Sequence, residues 1–154
     1  MNATRRLLLK SAASAGLVAT AVAAGLLKPR AVLADWNSAA FAARKPADAL
    51  AAIGAGDAGA SPEVRVKAPD IAENGAVVPV EVLTTLADVE SIAILGEKNV
   101  YPLAALFALS DFDGSLSTRI KMGETASVRA VVKAGGKVYT ATKEVKVTAG
   151  GCGG

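Results

Sequence analysis

The residue type with the most chemistry in this chain is the thiol of Cys152, its only cysteine, set in the run Ala149-Gly150-Gly151-Cys152-Gly153-Gly154. A structural cysteine needs a core to be buried in, and glycine on both sides offers no bulky neighbour from which to build one. An unperturbed thiol titrates near 8.5, which leaves about 3% thiolate at pH 7. Activation therefore has to come from a protein to which the thiol is presented. Glycine lacks a Cβ, so a backbone of Gly150, Gly151, Gly153 and Gly154 around Cys152 can enter a channel that any side chain would block. From Val147 to Cys152 such an arm extends up to about 17 Å. Ordering its five residues costs about 5 to 10 kcal/mol of backbone entropy, so a docked arm also leaves easily. The expectation is a covalent carrier arm.

Other uses of the same residues are weighed beside it. Prenylation needs three residues after the cysteine, and here two follow Cys152. Disulfide dimerisation is open to an exposed thiol in an oxidising compartment, and an incidental thiol or conjugation handle is a further reading. Gly153-Gly154 also ends the chain as ubiquitin-like carriers end, which act through the terminal carboxylate. The whole sequence of 154 residues contains no histidine. That excludes zinc hydrolases, His-ligated haem and Ser-His or Cys-His nucleophile pairs, while a single cysteine excludes an internal disulfide and a cysteine-built cluster. No cofactor and no metal are expected, and the chain reads as a substrate of partner enzymes rather than an enzyme.

Three further motifs read as structure. Gly54-Ala55-Gly56-Asp57-Ala58-Gly59 matches the dinucleotide-binding glycine pattern, but a helix precedes it and Ser61-Pro62 follows, so a loop is expected. Asp111-Phe112-Asp113-Gly114 lacks the spacing and closing glutamate of a calcium loop and reads as a turn. Lys143 and Lys146 could attract an anion, although alternating charges on a strand commonly face solvent.

The elements that must carry the arm come next. The first 34 residues hold five of the 17 basic residues and none of the 14 acidic ones, so the net charge of +3 belongs to that segment and the remainder is slightly acidic. A nucleic-acid partner loses its support. Thr4-Arg5-Arg6-Leu7-Leu8-Leu9-Lys10, an uncharged run from Ser11 to Leu27 and Val32-Leu33-Ala34 form a basic, apolar and small-residue series in the order of a signal peptide cleaved after Ala34. The run is too short and too weakly apolar for a comfortable membrane span, so no membrane association is expected after cleavage. Arg5 and Arg6 resemble the twin-arginine export signal, with Leu8 where Phe is commonest, which implies folded export to the bacterial periplasm.

Residues 35–149 are expected to form one domain and 150–154 the arm. Trp36, Ala39, Ala40 and Phe41 lie at helical spacing, and a second short helix starts at Pro46, passes Leu50 and Ile53 and stops at Gly54. Strands are predicted over Val64 to Lys67, Val77 to Leu83, Val89 to Leu95, Tyr101 to Leu109, Leu116 to Met122, Ser127 to Lys133 and Lys137 to Val147. Gly135-Gly136 makes a two-residue hairpin turn between the last two. Val128, Ala130 and Val132 share one face, with Arg129 on the other. Tyr101 to Leu109 also fits a buried helix. The fold class is all-β: an immunoglobulin-like antiparallel sandwich of about seven strands with a short N-terminal helical region and a flexible C-terminal glycine arm. A non-catalytic interaction module on the same fold is the alternative function.

The Gly150-Gly151-Cys152-Gly153-Gly154 terminus, the twin-arginine leader and the β-rich body together resemble the SoxY family, the carrier subunits of the periplasmic Sox sulfur-oxidation system. The resemblance implies that Cys152 carries thiosulfate-derived groups covalently. A SoxAX cytochrome would conjugate thiosulfate to it, SoxB would hydrolyse off sulfate to leave a persulfide, and a SoxCD-type sulfur dehydrogenase, where present, would oxidise the remaining sulfur. It also implies a stable heterodimer with a leaderless SoxZ-like subunit. Exposed apolar residues among Val77 to Leu95 are candidates for that interface, which one sequence does not separate from core.

Overall fold

The structure of the protein is a computed structural model, and the residues it describes are 37–149. Its logic is clearest at β5 (Val89–Gly96), where Ile92, Ala93, Ile94 and Leu95 are buried in succession. Side chains alternate across a strand, so a continuous apolar run needs cover on both faces. Ile92 and Ile94 face the interior of a two-sheet sandwich, whereas Ala93 and Leu95 face a smaller core under the helices.

Those helices are α1 (Ser38–Ala42) and α2 (Pro46–Ala52). Asn37 caps the first, its Oδ1 accepting from the Ala40 N–H at 3.0 Å, and its Nδ2 donates to the Ala52 carbonyl at 2.9 Å, which ties the end of α2 to the start of α1. Pro46 opens α2 where no N–H is needed, and Gly54 ends it at φ +70°. Both helices therefore lie where expected, except that Trp36 lies outside the described residues. Ala40, Ala49 and Ala55 are small enough to bring them down onto Ala93, Leu95, Leu103 and Val131. Among the described residues no helix is long and apolar enough to cross a membrane.

The strands are β1 (Gly59–Ala60), β2 (Val64–Lys67), β3 (Ile71–Ala72), β4 (Val78–Thr84), β5, β6 (Leu103–Ala108), β7 (Ser115–Ile120), β8 (Ala126–Ala134) and β9 (Lys137–Val147). One sheet has the order β1-β9-β8-β5-β6 with β3 also on β9, and the other has the order β2-β4-β7. All seven expected strands are present, and the chain is an all-β sandwich with a short helical start. Tyr101 to Leu109 contains strand β6, not a helix. Two features depart from the expectation. The two-residue strands β1 and β3 were not predicted, and both pair with β9 in parallel, so the sheet is not wholly antiparallel.

Val128, Ala130 and Val132 of β8 do share the sandwich interior, each fully buried, and Arg129 lies on the other face, where its Nε donates to Glu97 Oε1 at 2.7 Å. That other face is not open to solvent along its length, because Val131 packs under the helices. The β8–β9 hairpin turns at Gly135 and Gly136, with φ of +54° and +73°, the two positive values a tight primed turn requires.

Candidate functional site

Cys152, Gly150, Gly151, Gly153 and Gly154 lie outside the described residues, as do Arg5 and Arg6. The structure describes the platform from which the Cys152 segment leaves. β9 runs antiparallel to β8 from Lys137 to Val147, and the chain beyond it remains fastened. The Lys146 N–H donates to the Asp70 carbonyl at 3.0 Å and the Val147 N–H to Thr125 Oγ1 at 2.9 Å. The Thr148 N–H donates to the Ala72 carbonyl at 3.1 Å and the Ala149 carbonyl accepts from the Gly75 N–H at 2.8 Å. Fixed backbone thus continues through Ala149, two residues past the end of the last strand.

Apart from Thr125, the fastening residues come from 70–76, the segment that holds β3 and leads on towards β4. Its polar backbone satisfies the end of β9 on the edge away from β8. Lys143 on β9 also bonds this segment, its Nζ donating to Asp70 Oδ1 at 2.6 Å. That hydrogen bond, then the charge of Lys143 and, after it, of Lys146, hold the exposed Asp70 carboxyl below its ordinary value. Lys143 is therefore engaged in a surface ion pair with Asp70. Glu90, at the other end of the sandwich, is likewise held low by a hydrogen bond from Lys133 and another from the Gly136 N–H.

Antiparallel pairing puts three loops at the same end of the molecule as Ala149. Gly96 at the end of β5 pairs with Val128 near the start of β8, and Ala126 pairs with Val145 near the end of β9. The β5–β6, β7–β8 and β3–β4 loops therefore surround the root of the C-terminal segment. Asn99 ties two of them together: its Nδ2 donates to the Lys121 carbonyl at 2.7 Å and its Oδ1 accepts from the Gly123 N–H at 3.1 Å. The Met122 N–H donates to the Gly75 carbonyl at 2.7 Å and joins the third. Asn99, Thr125 and Gly75 carry no chemistry and were not singled out from the sequence. The one signal was Gly96, which closes an apolar run and whose Cβ, if present, would stand 2.7 Å from Asn99 Nδ2.

The remaining motifs fall away from this end. The glycine-rich run from Gly54 to Gly59 follows helix α2 and enters strand β1, the reverse of the order a dinucleotide site needs. Asp111 to Gly114 bends the chain between β6 and β7, with Asp111 at φ +53° and Gly114 at +92°. Among the described residues no cluster of acidic side chains could hold a metal ion. From Val77 to Leu95 most apolar residues are core, Val78, Val80, Val82, Ile92 and Ile94 among them. Of the large apolar residues in that stretch Val77 is exposed, at 52%, and Leu83 and Leu86 are half-buried.

Comparison with known proteins gives two findings. A protein-family model described as "Sulfur oxidation protein SoxY" matches residues 50–152, so the match ends on Cys152. Among solved structures, the sulfur carrier protein SoxY from Chlorobium limicola f thiosulfatophilum is similar at 41% identity, with a TM-score of 0.61 over 70% of this chain and 96% of that one. No curated protein matches. With well over half of its length inside the family match and a solved relative covered almost end to end, this chain belongs to the SoxY family of sulfur oxidation proteins.

Proposed function

We propose that the protein is a covalent carrier of sulfur intermediates in thiosulfate oxidation and that Cys152 is the attachment site. The observation that carries this reading is the position of the chain's only cysteine at the last residue of the SoxY match, three residues beyond the fastened Ala149. Gly150, Gly151, Gly153 and Gly154 serve as the arm. Because the backbone is held as far as Ala149, the tether to Cys152 is about 10 Å long when extended, shorter than the reach counted from Val147.

Loading joins the Cys152 sulfur to the sulfane sulfur of thiosulfate. An S–S bond forms, the thiol proton leaves, and two electrons pass to a SoxAX-type cytochrome partner. Hydrolysis by a SoxB-type partner adds water across the S–SO3 bond, releasing sulfate and leaving a persulfide. A SoxCD-type dehydrogenase, where present, oxidises that sulfur before a second hydrolysis restores the thiol. The protein contributes the thiol and its delivery. A SoxZ-like subunit forms the stable partner, and Arg5 and Arg6 direct export to the periplasm by the twin-arginine route.

The test is intact mass spectrometry of the protein from thiosulfate-grown cells, with and without reductant. The expected result is a reductant-labile adduct of sulfur, sulfite or thiosulfate mass confined to the Cys152 peptide and absent from Cys152→Ser. A bare thiol after incubation with active thiosulfate-oxidising extract would refute the carrier role. Removal of residues 150–154 abolishes thiosulfate oxidation if the arm is the carrier, whereas an interaction module keeps its function without them.

A further inference from the structure

At the end of the sandwich from which the C-terminal segment leaves, a pocket of about 590 Å³ opens between edge strands β6 and β7. Lys98, Arg119 and Lys121 line it with one acid, Glu124, and none of these four side chains has an ion-pair partner among the described residues. Its apolar wall is Val100 and Tyr101, respectively 64% and 49% exposed, two of the four exposed large hydrophobic residues described. The Tyr101 ring is held in place by Arg44, whose Nη2 donates to the hydroxyl at 3.2 Å and whose guanidinium lies 5.0 Å over the ring. Three cations lining one pocket with a single acid leave an excess of positive charge, which an anion would offset. An exposed aromatic wall beside them adds a surface suited to divalent sulfur.

The root of the C-terminal segment lies close by. The Ala149 carbonyl bonds Gly75, and the Gly75 carbonyl bonds Met122, which stands between the pocket residues Lys121 and Gly123. Two hydrogen bonds and one residue, under about 10 Å, therefore separate Ala149 from the pocket's rim, and three residues of tether give Cys152 a similar span. A short tether of this kind holds its end at millimolar or higher effective concentration, so even a weak anion site fills.

We propose that this pocket receives the chain's own loaded arm: the sulfonate end of a thiosulfate-derived adduct on Cys152 sits among Lys98, Arg119 and Lys121, with its sulfur against Val100 and Tyr101. This rests on the carrier reading and adds a resting place for the charged adduct between partner enzymes. An empty thiol lacks the anion and does not dock.

The test uses the protein purified from the cell and loaded chemically with tetrathionate. The Cys152 thiolate attacks a central sulfur, a new S–S bond forms, the central S–S bond of tetrathionate breaks, and thiosulfate leaves, so Cys152 retains an S–SO3 group. Lysine acetylation by a neutral reagent is then followed peptide by peptide. Loading is expected to slow acetylation of Lys98 and Lys121 by about threefold or more, while Lys133 and Lys137 at the opposite end keep their rates. Tetrathionate has no effect on Cys152→Ser, and the double variant Lys98→Gln, Lys121→Gln releases its adduct to sulfite about threefold faster than wild type. Three results would overturn the proposal: equal rates before and after loading, the same protection of Cys152→Ser by millimolar free thiosulfate, or both lysines already shielded in the unloaded protein by a copurifying partner. Tetrathionate loads the thiol without any enzyme, so failure of the carrier reading shows in the mass of the protein as isolated, and failure of docking shows only in the lysine rates.

Discussion

Asn99 and Gly96 offer a test of what organises the loops around Ala149. In Asn99→Ala, two side-chain hydrogen bonds to the β7–β8 loop are lost, at 2.7 and 3.1 Å. At about 0.5 to 1.5 kcal/mol each, and with one partly open to water, the substitution costs about 1 to 2 kcal/mol. Gly96→Ala acts on the same contact from the other side. The backbone of Gly96 is not in the left-handed region, so alanine is tolerated there, but its Cβ would meet Asn99 Nδ2 at 2.7 Å and Asn99 Cγ at 3.1 Å. Asn99 Oδ1 follows at 3.6 Å, so the three nearest heavy atoms all belong to that one side chain. Gly96→Ala therefore destabilises by pushing Asn99 off its two partners, and its cost approaches that of Asn99→Ala. In the double variant there is nothing left to push. Its stability should match Asn99→Ala or exceed it slightly, because alanine restricts the unfolded chain more than glycine does. The interaction energy is then about 1 to 2 kcal/mol, well above the error of additivity. Urea denaturation of the four proteins measures it, and thermal unfolding should show each single variant lowered by about 3 to 10 °C. Costs that add in the double variant would refute the assignment of Gly96 to the Asn99 contact.

Other expectations concern the frame and its pH response. Ile92→Ala removes a fully buried side chain between the sheets and should cost about 2 to 5 kcal/mol in denaturant titration. Gly136→Ala, at φ +73° with open space around it, should cost about 1 to 2 kcal/mol through backbone strain alone. Asp70 and Glu90 titrate below their ordinary 3.8 and 4.5, so what their lysine pairs contribute is complete above those values and is lost as pH falls through the depressed folded ones. Asp70→Asn should therefore weaken protection of the Lys146 and Thr148 amides at neutral pH, with the difference from wild type closing below pH 3.8 in hydrogen exchange. High salt should narrow the same difference at neutral pH, since the pair is exposed.

Much of this architecture is legible because local pattern and tertiary role agree. Val64 to Lys67 alternates apolar and charged residues, and the strand occupies those four residues with the valines buried and the charges out. Pro46 and Gly54 bracket a helix that begins and ends where they say. What escapes the reading depends on distant partners. Gly59–Ala60 and Ile71–Ala72 are too short for any periodicity, and become strands only because β9 offers its free edge. Val131 looks like a break in the alternation of β8 until the helices cover it. Lys143 and Lys146 are equivalent by spacing, yet only Lys143 reaches Asp70, a residue 73 positions away in sequence. The site divides in the same way. Cys152 and its glycines are conspicuous in the sequence. The pocket of Lys98, Arg119 and Lys121 is assembled by two loops and a strand that no spacing connects.

The stitching of β9 on both sides has a mechanical consequence. Along its length β9 bonds β8 on one edge, and β1 and then β3 on the other, with both short strands parallel to it. Sheet hydrogen bonds lie across the strand direction, so tension applied at the C-terminus loads them together in shear instead of peeling them one at a time. On the carrier reading proposed above, a partner that draws on the segment beyond Ala149 would pull against a clamp. The sandwich would then follow such a pull as one body, its last strand held on both edges.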